Sequence, residues 1–210
     1  MAKPALGIVG LKRMLRDSVG EVETQRHLEA HPWLLTAQQS AHPPLVISQF
    51  QLGREFRPDF VFFWMNSSGE FIQLIEIESP KLLAFTASHE FSQKFNHAVQ
   101  QVRDWPDWIL RNSDLFEQAM LPLFERGWIT GIPSFTRARL SLIAGRRREL
   151  LNNPRRKKRW EAKASDLAVL GVTLRTWDGF ASSLHSPAIS RDLGWITCVT
   201  HAYAKANDAP

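Results

Sequence analysis

Three features of the sequence predict an α/β fold. Phe60-Val61-Phe62-Phe63-Trp64 and Phe71-Ile72-Gln73-Leu74-Ile75 are rich in β-branched and aromatic residues and flank the turn formers Asn66-Ser67-Ser68-Gly69, which reads as a hairpin. Residues 89–109 carry Phe91, Phe95, Ala98, Val99, Val102 and Trp105 three or four apart, the spacing of one helical face. Two later apolar runs, residues 139–145 and 172–177, enclose a basic stretch of helical character. Strand, helix, strand implies a parallel crossover.

In chain order, residues 8–19 form a first helix. Residues 21–35 form a second, with Val22, Leu28, Leu34 and Leu35 as apolar positions, stopped near His31-Pro32 by the proline. Residues 45–52 alternate and read as a strand, followed by the two hairpin strands. After the long helix, residues 115–124 form another. Asp178 is the expected N-cap of a short helix ending at Leu184, and the segment after Ser186 carries no clear pattern. There is no internal repeat or low-complexity tract.

The chain has 210 residues, 44% of them hydrophobic, with eight Trp and thirteen Phe, enough for one substantial core. No apolar run reaches about twenty residues, and Lys3, Lys12, Arg13 and Arg16 interrupt any leader pattern. A cytoplasmic protein without a membrane partner is expected. The single cysteine, Cys198, excludes an intramolecular disulfide and a cysteine zinc cage. His27 and His31, like His89 and His97, lack a further ligand at metal-binding spacing and read as structural, and phosphate-loop and serine-nucleophile motifs are absent.

The net charge of +5 is unevenly spread. Between Arg137 and Lys163 stand eleven Lys/Arg against two acids, so the rest of the chain is net negative. Arg146-Arg147-Arg148 and Arg155-Arg156-Lys157-Lys158-Arg159 suit phosphate neutralisation, with Trp160 as a stacking surface. The alternative is a solvated helix face.

Asp59, within Arg57-Pro58-Asp59-Phe60, and the pair in Glu76-Ile77-Glu78-Ser79-Pro80 interrupt the apolar hairpin. Residues 76 and 78 project to one face of a strand and are able to meet Asp59 across the hairpin. Buried carboxylates need a positive charge between them, and a hydrated magnesium ion supplies both that charge and an attacking water. The alternative is strand-end acids that reach solvent or pair with Arg57 and Lys81.

These motifs, with residues 21–35, Ala98-Val99-Gln100-Gln101-Val102-Arg103-Asp104-Trp105, the strand at 140–145 and Arg175-Thr176-Trp177-Asp178, resemble the Shedu family of bacterial anti-phage defence proteins over about residues 20–185. The resemblance implies a nuclease domain of the PD-(D/E)XK superfamily, a restriction-endonuclease-like core with a mixed central sheet flanked by helices. The nuclease-like domain then spans 20–185, after a helical segment at 1–19 and before an extension at 186–210 that completes the domain or forms an assembly contact. Asp59 and Glu76 are then metal ligands for Mg²⁺, with Mn²⁺ as a substitute, and Glu23 an auxiliary ligand in competition with Glu21 and Glu29. Gln101 orients the site, and Trp105 stands where related nucleases carry tyrosine. The superfamily has lysine where this chain has Glu78, which becomes a base or third carboxylate, and Lys81 is the candidate to replace the missing charge. DNA is the implied partner, along with a homo-oligomer and a sensor or assembly partner on another chain. The expected function is a Mg²⁺-dependent DNA endonuclease in anti-phage defence, or else a degenerate module that binds without cutting.

Overall fold

A computed structural model describes residues 3–37, 45–67, 69–129, 138–184 and 196–201. In chain order it contains α1 (Lys3–Asp17), α2 (Glu21–Ala30), α3 (Trp33–Thr36), β1 (Leu45–Ser48), β2 (Phe60–Asn66), β3 (Gly69–Ile77), α4 (Gln93–Arg111) and α5 (Ser113–Glu125). There follow β4 (Ala138–Ile143), α6 (Arg148–Leu151), α7 (Pro154–Val169), β5 (Val172–Arg175), α8 (Trp177–Ser183) and β6 (Thr197–Thr200). The strands form a mixed sheet of order β5-β4-β3-β2-β1-β6. β1, β2 and β3 are antiparallel neighbours, whereas β3, β4 and β5 run parallel, as does the pair β1 and β6.

Alternation along the strands divides the core between the two faces. Val61, Ile72, Leu74, Leu140 and Leu142 pack with Phe95, Val99, Val102 and Trp105 of α4 and with Trp160 and Leu167 of α7. Phe60, Phe62, Ile75, Ile77 and Ile143 face the other way, against Leu11 and Leu15 of α1, Leu28 of α2 and Trp177 and Phe180 of α8. The segment at 1–19 therefore contributes to the same core as the strands. β6 brings part of the 186–210 segment into the sheet, while residues 186–195 and 202–210 lie outside those described.

The structure departs from the sequence reading at three boundaries. The helix expected over 21–35 ends at Ala30, and Trp33–Thr36 is a separate turn of helix with Pro32 at its N-cap, because proline has no N–H to continue the ladder. The strand expected over 45–52 stops at Ser48, since Gln49 adopts φ 54° in the left-handed region. Thr176 rather than Asp178 caps α8, its hydroxyl accepting from Gly179 N at 3.0 Å.

From Gln49 the chain makes a short excursion closed by the Leu52↔Phe56 bridge before entering β2. Gly53 turns it at φ 58°, and a Cβ there would lie 2.5 Å from Cζ2 of Trp108. Gly53→Ala is expected to destabilise the protein by about 1–3 kcal/mol in urea unfolding, through left-handed strain and overpacking together. An unchanged midpoint would show that the loop bearing Glu55, Phe56 and Arg57 is free to move away.

Candidate active site

The hairpin register determines which acids meet. Phe60 pairs with Ile75, so Asp59, one residue before β2, falls opposite Glu76 near the end of β3. Asp59 Oδ2 accepts from Ile77 N at 2.9 Å, and Oδ1 accepts from Gln49 Nε2 at 3.1 Å. Glu76 shares strand parity with Ile72 and Leu74 and so faces α4, where Gln101 Nε2 donates to its Oε1 at 2.8 Å. The other oxygen, Oε2, is buried without a hydrogen-bond partner. Two residues on, Glu78 also faces α4, and Lys94 Nζ lies 3.0 Å from its Oε2 as an ion pair lacking the alignment of a hydrogen bond. The same ammonium lies 3.5 Å from Glu21 Oε2 at the start of α2.

α4 presents these groups together because Lys94 and Gln101 are seven residues apart, two turns along one face. Its first turn is held by Ser92, whose hydroxyl accepts from Phe95 N at 3.3 Å. Beside the carboxylates opens a pocket of about 530 Å³. It is lined by Glu21, Glu55, Asp59, Glu76 and Asp104 against a single guanidinium, Arg57, with Gln49, His97 and Gln101 also in the lining.

Burial dominates the titration of the pair. It raises Asp59 to about 7, against the opposing donation from Ile77 N. Burial lifts Glu76 well above the carboxylate range, reinforced by the charges of Asp59, Glu78 and Glu21. Glu78 is also raised by burial, although its contact with Lys94 pulls the other way, and Lys94 is raised by the same contact.

A family model described as Shedu protein SduA, C-terminal, matches residues 18–180. The chain belongs to the Shedu SduA C-terminal family. That membership associates it with the bacterial anti-phage defence proteins of the same name. No curated protein matches the chain.

Within this Shedu domain, Asp59, Glu76 and Gln101 line one pocket, whereas Glu78 pairs with Lys94 beside it, and two further expected residues lie elsewhere. Glu23 is exposed and curls back over Gly20 at the start of its own helix, where Glu21 is the acid that reaches the pocket. Lys81 is exposed on the turn after β3, so the cation beside Glu78 is Lys94. Trp105 is fully buried in the core and does not line the pocket. Among the described residues no three histidine, cysteine, aspartate or glutamate side chains form a ready-made metal cage, which differs from the set of three or four carboxylates anticipated. No helix in the described residues is long and apolar enough to cross a membrane.

Much of the basic segment is engaged within the chain. Arg155 and Arg159 both pair with Glu90, and Arg156 donates to His89 Nδ1 at 3.1 Å and to the Thr86 carbonyl at 2.8 Å. Arg146 forms a two-pronged pair with Asp178. Lys94 escaped sequence reasoning because it interrupts no apolar run, and Glu21 entered only as a competitor of Glu23. The one available signal was that Lys94 precedes Gln101 by two helical turns.

The raised carboxylates set a pH dependence. A group that binds its proton more tightly folded than unfolded contributes stability that is full below its unfolded pKa, about 4, and is lost as pH rises through its folded value. For Asp59 that window runs from about pH 4 to about 7. Asp59→Asn cannot ionise, so in EDTA its stability relative to wild type is expected to increase across this window in urea unfolding. A difference that stays constant with pH would contradict the burial of Asp59.

Proposed function

We propose that this Shedu domain is a magnesium-dependent DNA endonuclease with a PD-(D/E)XK-like core, and that Asp59 and Glu76 are its metal ligands. The observation that carries the reading is the partnerless, buried Oε2 of Glu76 opposite Asp59 in a pocket of five acids and one arginine. Such a concentration of desolvated carboxylates favours a cation. Magnesium takes oxygen ligands, commonly one or two carboxylates with several waters, so the pair suits it without a closed cage. Manganese shares that oxygen preference.

When bound, the ion supplies Lewis acidity and an activated water for phosphodiester hydrolysis. Gln101 holds Glu76 through Oε1 and leaves Oε2 without a hydrogen bond. Gln49 and the Ile77 N–H fix the orientation of Asp59. Glu78, with its raised affinity for a proton, accepts one from the attacking water. Lys94 brings positive charge to the end of β3, where the related motif carries lysine in the strand itself.

Wild type is expected to cut linear and circular DNA with Mg²⁺ or Mn²⁺, and Asp59→Ala or Glu76→Ala to abolish cutting with the circular dichroism unchanged. Cutting that survives both changes sinks the assignment. Lys94→Met is expected to slow cleavage about 10²-fold or more, as loss of a transition-state donor does, whereas Lys81→Met leaves the rate unaltered.

A second reading, a domain that binds nucleic acid or a protein partner without cleavage, is favoured by the Glu78–Lys94 pair, in which each charge occupies the other. DNA binding with no cutting, unaltered by Glu78→Lys, supports that reading.

A further inference from the structure

We propose that a second pocket, between the end of α1, the turn at 146–148 and α8, binds the phosphate backbone of nucleic acid. This rests on the nucleic-acid substrate of the preceding reading and assigns the surface that holds it. The carboxylate pocket is itself a poor seat for a polyanion, with five acids around one guanidinium. Counter-charge for a strand entering it has to come from outside.

α7 is the obvious source by composition, but its arginines are engaged within the chain. Arg155 and Arg159 converge on Glu90, and Arg156 on His89 and Thr86, so they clamp α7 to the segment at 86–90. Cations already holding carboxylates and carbonyls have less charge and fewer donors for phosphate.

The turn after β4 behaves differently. Arg146, its side chain largely buried, is spent on Asp178 and on the Leu15 carbonyl of α1, and Asp178 also accepts from Arg147 N at 2.7 Å. Burial opposes ionisation of Asp178, yet these donors hold its pKa below the usual carboxylate value, so the brace stays charged. The brace joins α1, the turn and α8, and thereby gathers Lys12, Arg16, Arg147 and Arg148 around a pocket of about 430 Å³. Lys12 and Arg16 share one face of α1, a turn apart. Arg16 and Arg148 are exposed and have no ion-pair partner among the described residues. Asp178 is the one acid in the lining and is already neutralised.

The ligand class follows from the layout. The apolar part of the lining is Leu15, Leu151 and Ala181, beside the cations. Several separate, exposed cations match the repeated charge of a polynucleotide better than one enclosed phosphate. Position agrees as well. Trp177 Nε1 donates to the Glu78 carbonyl at 2.7 Å, and the next residue, Asp178, holds the basic turn. Basic pocket and carboxylates thus flank the same end of the sheet, one on either side of the β3 terminus.

The test is fluorescence anisotropy of a labelled DNA duplex in EDTA, so that binding is read without cleavage. Arg16→Glu/Arg148→Glu is expected to weaken binding about tenfold or more and to reduce the slope of log K against log salt by about two. The matched reversal on α7, Lys157→Glu/Lys158→Glu, is expected to cost less than about threefold, and Arg16→Lys/Arg148→Lys to retain affinity. Equal losses from both reversals, no loss from the first, or no duplex binding by wild type overturns the inference. Displacement of duplex by inorganic phosphate at matched ionic strength also overturns it, in favour of an isolated-phosphate pocket. Pocket-dependent binding by a protein that never cuts overturns the hydrolytic reading alone. Cutting by a protein whose affinity ignores the pocket overturns this inference alone.

Discussion

Asp59 and Glu76 oppose each other because Phe60 pairs with Ile75, and withdrawing two carboxylates from water at that point imposes a cost that the neighbouring elements have to offset. The surroundings are arranged accordingly. Gln101 and Lys94 come from one face of α4, Gln49 from the residue where β1 breaks off, and a main-chain donor from Ile77 itself. α4 is held in place by Phe95, Val99, Val102 and Trp105 packed on the sheet. The helix face that builds the core and the face that serves the carboxylates are therefore one rigid unit, and a change in packing under α4 is felt at Glu76.

The sheet and its crossover were legible in the sequence because apolar runs in hairpins and parallel strands carry strong periodic signals, as in Ile72 and Leu74 of β3 or Leu140 and Leu142 of β4. Asp59, Glu76 and Glu78 were legible for the opposite reason, as charges interrupting those runs. Glu21 and Lys94 lie on helix surfaces rich in polar residues, where one acid or lysine looks like any other, and only the packing of α2 and α4 singles them out. The end of β1 was illegible because Gln49 carries no glycine-like mark of its left-handed backbone. Asp178 was misjudged as a cap because its carboxylate has a stronger partner in Arg146, a contact between residues 32 apart in the chain.

Electrostatically the molecule is divided more sharply than its composition suggests. Of the cations in the second half of the chain, Arg155, Arg156 and Arg159 tie α7 to Glu90 and His89, and Arg147 and Arg148 stand with the Arg146–Asp178 brace. Five acids line the pocket at the hairpin end. On the nuclease reading proposed above, such an arrangement orients a polyanion before contact and draws small cations to the acids.

β6 has a consequence for how the sheet is completed. It lies beside β1 in space, and His201 just beyond it accepts a hydrogen bond from Gln51 N at 2.8 Å across 150 residues of chain. During synthesis, β1 and the hairpin emerge long before their last neighbour does. The growing polypeptide thus carries an open strand edge, of the kind that recruits stray β-pairing, until residue 200 has left the ribosome. Covering of the β1 edge is a late event that reports arrival of β6.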